Sequence, residues 1–253
     1  NFFQHFGISL KLGVYDNFGM HKEKLEDLLL YHSSAGADMT TLAEYVSRMP
    51  EEQKYIYYAC GDSIAQLEKL PAAEVVLDKG FEILYMTQDV DEFCARILES
   101  YDGKELRSLA DGDLGLETEE EKEKLEEKSQ QSQDLFAFMK EALDGKVEEV
   151  KFSTRLKNHP VCMGTKGEIT LEMEKMFAAM PDNPGIRAER VLELNAEHEM
   201  FSELNRLYQQ DQDKLALYSE LLYGQALLLE GLELDDPIAF SDAVAKLMLP
   251  QQD

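Results

Sequence analysis

Gly61, Asp62 and Ser63 follow an apolar run, Tyr55 to Cys60, and precede Ile64, Leu67 and Leu70 at helical spacing, so their backbone amides stand where a helix start can hold an anion. No glycine-rich phosphate loop surrounds them, and an ordinary Asp cap is preferred over a nucleotide site. The histidines His5, His21, His32, His159 and His198 form no HExxH, and none stands with a Cys or Ser in a recognisable nucleophile motif. Cys60, Cys94 and Cys162 lie far apart without a CxxC pair, which suggests neither a zinc site nor a disulfide framework. Abundant carboxylates are a solvated face by default, because an acid–base pair is defined by geometry and environment. On these residues no metal, cofactor or enzyme chemistry is expected of the chain.

The bulk composition narrows the partners. Acidic residues outnumber basic ones 51 to 25, for a net charge of -26, so phosphate backbones are repelled and a nucleic-acid partner is not expected. The apolar stretch Leu221 to Leu229 is interrupted by Gly224 and Gln225 and falls short of the roughly 18 apolar residues of a membrane span. The thiols fit a reducing cytoplasm. The opening, Asn1 followed at once by Phe2, Phe3 and Phe6, suggests a piece of a longer protein.

Two domains must position whatever the chain presents. Turn residues at Asp111 to Gly115, followed by the charged run Glu117 to Lys128, mark a boundary between residues 1–113 and 117–253. In the first part, Phe2, Phe3, Phe6 and Leu10 predict a helix with one buried face that stops at Gly13. Leu25, Leu28 and Leu29 predict a second helix over His21 to His32, and Ser33 to Met39 a loop. Thr41 with Glu44 is a capping box for a helix ending before Pro50. The runs Tyr55 to Cys60 and Phe81 to Thr87, each followed by helical spacing, read as a parallel α/β unit, with Asp62 and Asp89 as caps.

In the second part Thr118 and Glu121 cap a helix continuing to about Leu143. Val147 to Thr154, Pro160 to Met163 and Val191 to Leu194 predict a small sheet. Thr165 with Glu168 caps a helix carrying Ile169, Met173, Met176, Phe177 and Met180. Leu215 to Leu229 is apolar almost all round, and Asp236 with Pro237 starts a final amphipathic helix.

The wording of several stretches is more specific than their periodicity. EYVSRM (44–49), QKYIYYACGDS (53–63), KGFEILYMT (79–87), DEF (91–93), YDGKELRS (101–108), LELNAEH (192–198), LLYGQALLLEG (221–231) and DDPIAF (235–240) resemble the bacterial heat-shock protein 90 family, over nearly the whole chain. The resemblance implies a small Rossmann-like α/β part of a middle domain. An α+β dimerisation domain follows, whose last helices form an intermolecular four-helix bundle. It implies an ATP-driven dimeric chaperone whose ATP and magnesium site and catalytic-loop arginine precede residue 1, so this chain is not expected to be the enzyme.

The resemblance also implies contact residues. Unfolded or partly folded clients are expected at Glu92, Phe93 and Arg96 and along Ile169, Met173, Met176 and Phe177. A homodimer is expected through Leu215, Tyr218, Leu221, Leu222, Leu228, Leu229, Phe240, Val244, Leu247 and Met248. Where Phe93 stands the bacterial family often has tryptophan, and this chain has no Trp. Two rival readings are a nucleotide-dependent enzyme on the α/β unit, using Gly61 to Ser63, and a purely structural dimerisation module.

Overall fold

Unbroken apolar runs on two central strands organise the first unit. The structure is a computed structural model that describes residues 2–182 and 185–249. It divides into two compact units, one of residues 2–116 with 176–182, the other of 117–175 with 185–249. The first contains α1 (Phe2–Tyr15), a 3-10 turn Asp16–Gly19, α2 (Lys22–Leu25), a 3-10 turn Glu26–Leu28, β1 (Tyr31–Ser33), β2 (Gly36–Thr40), α3 (Leu42–Arg48), β3 (Ile56–Cys60), α4 (Ile64–Leu67), α5 (Pro71–Asp78), β4 (Ile83–Met86), α6 (Asp91–Leu98), β5 (Ser100–Tyr101) and β6 (Lys104–Ser108).

Its sheet has the order β2-β1-β4-β3-β6-β5, with β4, β3 and β6 mutually parallel and the outer pairs antiparallel. Ile56, Tyr58, Leu84 and Met86 enter one apolar core, and Tyr57, Ala59, Ile83 and Tyr85 enter the other. Both faces are therefore covered, as a parallel sheet requires. The chain is a mixed α/β protein, as its strand–helix alternation predicts.

Several local expectations give way to long-range pairing. The helix expected over His21–His32 stops at Leu25, and β1 follows because His32 and Ser33 pair with Tyr85 and Leu84 of β4. This draws Leu29 and Tyr31 into the core and leaves Leu28 exposed. The loop expected at Ser33–Met39 is largely β2, an edge strand on β1. In α1, Phe2 and Phe6 are exposed, while Gly7, Lys11 and Val14 face inward and the helix runs past Gly13. Lys11 is buried because Asp91 Oδ1 lies 2.6 Å from its Nζ. Asp62 caps nothing: Ser63 precedes the single turn of α4, and Pro71 opens a separate helix. Asp91 rather than Asp89 makes the local bond at α6, accepting from the Gln88 amide at 3.0 Å.

The second unit contains α7 (Glu119–Gln131), α8 (Gln133–Ala142), β7 (Glu149–Phe152), β8 (Val161–Lys166), α9 (Leu171–Ala179, of which residues 176–179 fall to the first unit), β9 (Glu189–Leu194), α10 (Glu199–Gln210), α11 (Gln212–Leu229) and α12 (Pro237–Met248). The one long helix expected to Leu143 breaks at Ser132, whose hydroxyl bonds the Lys128 carbonyl at 2.8 Å. Thr165 caps no helix, since it pairs with Arg190 in the sheet; Thr170 Oγ1 accepts from the Met173 amide at the start of α9 instead.

The sheet has the order β7-β9-β8. Val150, Phe152, Val161, Met163, Leu192 and Leu194 turn toward α8, α10 and α11. Strand alternation sends Lys151, Cys162, Gly164 and Glu193 to the opposite face. There Arg155, 2% exposed, meets Glu193, 1% exposed, with Nε 2.9 Å from Oε2. A Cβ on Gly164 would stand 2.6 Å from Glu193 Oε1 and 3.0 Å from Arg155 Nη2. Gly164→Ala must therefore displace a buried ion pair, and overpacking typically costs about 1–3 kcal/mol. The expected result is a lower urea midpoint with an unchanged m-value; an unchanged midpoint would mean that the pair shifts freely.

Candidate functional site

The residues with chemical potential are occupied by structure. The Gly61 amide donates to the Met86 carbonyl at 3.2 Å, and α4 beyond it is only one turn long. Burial pushes the Cys94 thiol up to about 11 and raises that of Cys162 as well, so neither offers a thiolate near neutral pH. His198 Nδ1 accepts from the Met200 amide at the start of α10. Among the described residues no group of His, Cys, Asp and Glu is arranged to hold a metal, and no helix is long and apolar enough to cross a membrane. What the molecule presents instead is apolar surface.

The client-contact candidates divide by burial. On α6 Glu92 is buried, held 3.1 Å from Arg96 Nε across one helical turn. Phe93 and Arg96 are half-buried, and the Phe93 ring lies 5.7 Å from that of Tyr15, centroid to centroid. Near α9, Met173 is buried, and half-buried Ile169 packs against the core of the second unit. Met176 and Phe177 are half-buried and Met180 exposed. The surface a partner can reach is thus smaller than helical spacing alone suggests: Glu92 and Met173 are spent within the chain.

The dimer candidates divide in the same way. Leu215 and Leu222 belong to the core of their own unit, Tyr218 packs against it, and Leu221 is buried. A partner therefore reaches neither Leu215 nor Leu222. The leucine surplus of α11 is partly absorbed because this helix touches β8, α8, α10 and α12. Leu228, Val244, Leu247 and Met248 are exposed, and Leu229 and Phe240 half-buried. Ile238 and Leu249 are exposed too. Between α11 and α12 lies a cavity of about 290 Å³ lined by Leu217, Leu221, Leu234, Phe240 and Ala243, with Lys146 and Glu220 at its polar side. The helices approach closely at Gly224, where a Cβ would meet the Phe240 ring at 2.5 Å.

The family described as Hsp90 protein matches residues 1–252. The chain is 52% identical over 248 residues to the chaperone protein HtpG of Bacillus subtilis (strain 168), covering 98% of this chain and 40% of that protein. It is 53% identical over 247 residues to the HtpG of Halalkalibacterium halodurans, covering 98% and 39%, and 52% identical over 247 residues to that of Clostridium perfringens, covering 98% and 39%. The chain thus spans about two fifths of the length of these relatives. With a match along its whole length and identity above one half, the chain belongs to the Hsp90 family of chaperones.

Proposed function

We propose that this chain is the self-associating, client-presenting portion of an ATP-driven chaperone. Residues 1–113 are then the smaller part of a middle domain and residues 117–253 a dimerisation domain. The observation that carries the reading is apolar surface in a chaperone-family chain, partly open at Met176 and Phe177 on α9 and exposed at Val244, Leu247 and Met248 on α12. Methionine suits surfaces that adapt to many partners. In this reading ATP and magnesium are bound elsewhere in the parent, and the chain alone does not hydrolyse ATP; the engaged Gly61 amide supports that. Three free cysteines support a cytoplasmic setting, and the net charge of -26 disfavours a nucleic-acid partner.

The test is Met176→Ala with Phe177→Ala. If these side chains bind clients, the melting temperature stays within a few degrees and the anisotropy-measured affinity for a fluorescein-labelled, permanently unfolded polypeptide falls about tenfold, or about 1.4 kcal/mol. If they are core, each truncation costs about 2–5 kcal/mol. A collapse of stability with client affinity retained would overturn the reading.

A further inference from the structure

α9 is fastened to α11 at two points. Lys175 Nζ donates to the Glu230 carbonyl, just past the end of α11, at 2.8 Å, and to Glu172 Oε1 at 2.5 Å. Beside it Glu174 turns inward, its Oε2 accepting from the Ala188 amide at 2.9 Å and its Oε1 from Arg190 Nη2 at 2.7 Å. Arg190 Nη1 donates in turn to the Tyr223 hydroxyl at 2.6 Å, and that hydroxyl donates to Asp235 Oδ2 at 2.8 Å. Tyr223 and Glu230 are seven residues apart, so both fastenings lie along one side of α11. Asp235 directly precedes Asp236, whose side chain accepts from the Ile238 and Ala239 amides and starts α12. One unbroken run of hydrogen bonds therefore leads from the helix that carries Met176 and Phe177 to the helix that carries Val244, Leu247 and Met248.

Arg190 is the member of the run that can least spare a partner. The side chains of Arg190 and Glu174 are only 10% and 11% exposed, and Arg190 Nε is already buried without an acceptor. A buried charge that loses its partner carries a large penalty and takes the nearest substitute. That substitute is Asp235, whose Oδ1 lies 3.8 Å from Arg190 Nη1. Lys146, the other cation beside the Tyr223 ring, is paired with Glu220 at 2.5 Å. Burial and the bond to Asp235 push the Tyr223 hydroxyl up to about 12, so it keeps its proton as the donor to Asp235.

We propose that Arg190 and Tyr223 are positioning residues that couple client docking on α9 to self-association through α12, each event strengthening the other. The inference rests on the client-binding and dimer readings above and adds the link between them. A client that holds α9 in its seat keeps Glu174 on Arg190, which leaves Asp235 to Tyr223 and the start of α12 undisturbed. When α9 leaves its seat, Arg190 turns to Asp235 and draws on the segment that begins α12. The coupling is reciprocal, so association through α12 tightens client binding by the same factor.

The experiment measures the dimer dissociation constant of the full chain by sedimentation, alone and with a saturating fluorescein-labelled, permanently unfolded polypeptide. In the parent chain the constant is expected to fall about fivefold or more when the polypeptide is bound. In Tyr223→Phe, which removes only the hydroxyl and leaves the ring in the core, the constant is expected to stay within about twofold with or without polypeptide. Circular dichroism checks the fold of that variant, and Asp235→Ala cuts the same run at an exposed residue and gives the same readout if Tyr223→Phe unfolds. A merely structural role would change the constant equally in both conditions and leave the fivefold ratio in place. A parent chain that dimerises and binds the polypeptide, yet shows the same constant in both conditions, overturns the coupling and leaves both readings standing. A shift that persists in Tyr223→Phe or Asp235→Ala comes from one polypeptide bridging two chains, and overturns the role of Arg190 and Tyr223. A parent chain that stays monomeric, or binds no polypeptide, overturns the corresponding reading and the coupling with it.

Discussion

Replacing Glu193 with alanine is expected to cost about 3–5 kcal/mol of folding stability, the usual penalty for removing one partner of a buried ion pair. Glu193 sits on the covered face of the second sheet. Its Oε2 accepts from Arg155 Nε at 2.9 Å and from Ser153 Oγ at 2.8 Å, and its Oε1 lies 3.5 Å from Lys151 Nζ. Removal leaves the Arg155 guanidinium buried, with the Met163 carbonyl at 3.0 Å as a neutral acceptor. Equilibrium urea unfolding measures the loss, and a change below about 1 kcal/mol would show that water reaches Arg155. Exchanging both partners, Arg155→Met with Glu193→Met, is expected to recover part of it, because neither end of this pair is then left buried and charged.

The same pair gives the fold a pH dependence of definite sign. Burial alone raises the Glu193 pKa, but Arg155, Lys151 and the bonds from Ser153 and Arg155 outweigh it, and the net effect is a pKa below 4.5. Folding therefore releases a proton from this group. Its contribution is complete above about pH 4.5 and is lost as pH falls through the lower folded value. The stability gap between the parent chain and Glu193→Gln is expected to narrow on acidification below that point.

Neither partner of this pair was legible in the sequence, because Glu193 within LELN reads as a solvated strand residue and its burial is set by Arg155, 38 positions away. Local signals fared better. The capping boxes at Thr41/Glu44 and Thr118/Glu121 and the Asp236 cap form as expected, since each is decided within four residues. The strands Ile56–Cys60 and Ile83–Met86 were legible because burial on both faces demands unbroken apolar runs. The helix expected over His21–His32 is cut short because, although helical spacing there is real, the ladder of His32 and Ser33 to β4 has the stronger claim on the backbone. For the surfaces, spacing told which side chains share a face and not which neighbour covers it. Met173 and Met176 share a stripe on α9, but only the second is open in part. Leu215 and Leu228 share α11, and only the second faces solvent.

Deleting residues 236–253 is expected to convert a dimer into mostly monomer when sedimented at micromolar concentration. A dimer of micromolar affinity needs about 8 kcal/mol net of association costs. Burying one large apolar side chain contributes roughly 1.5–3 kcal/mol, and a two-fold interface counts every residue twice. Leu228, Val244, Leu247 and Met248 from each chain are enough, without Leu215 and Leu222, which the core already holds. In the proposed arrangement α11 and α12 of two chains form a four-helix bundle. Because the deletion also removes Phe240 from its seat against Gly224, it is paired with Leu247→Asp/Met248→Asp, which alters only exposed side chains and leaves that contact in place. The aspartates of the two copies would face each other across a two-fold axis and add like-charge repulsion. A monomer with unchanged circular dichroism in this variant assigns the interface to α12, whereas an undiminished dimer in both variants would move it to another face of the molecule.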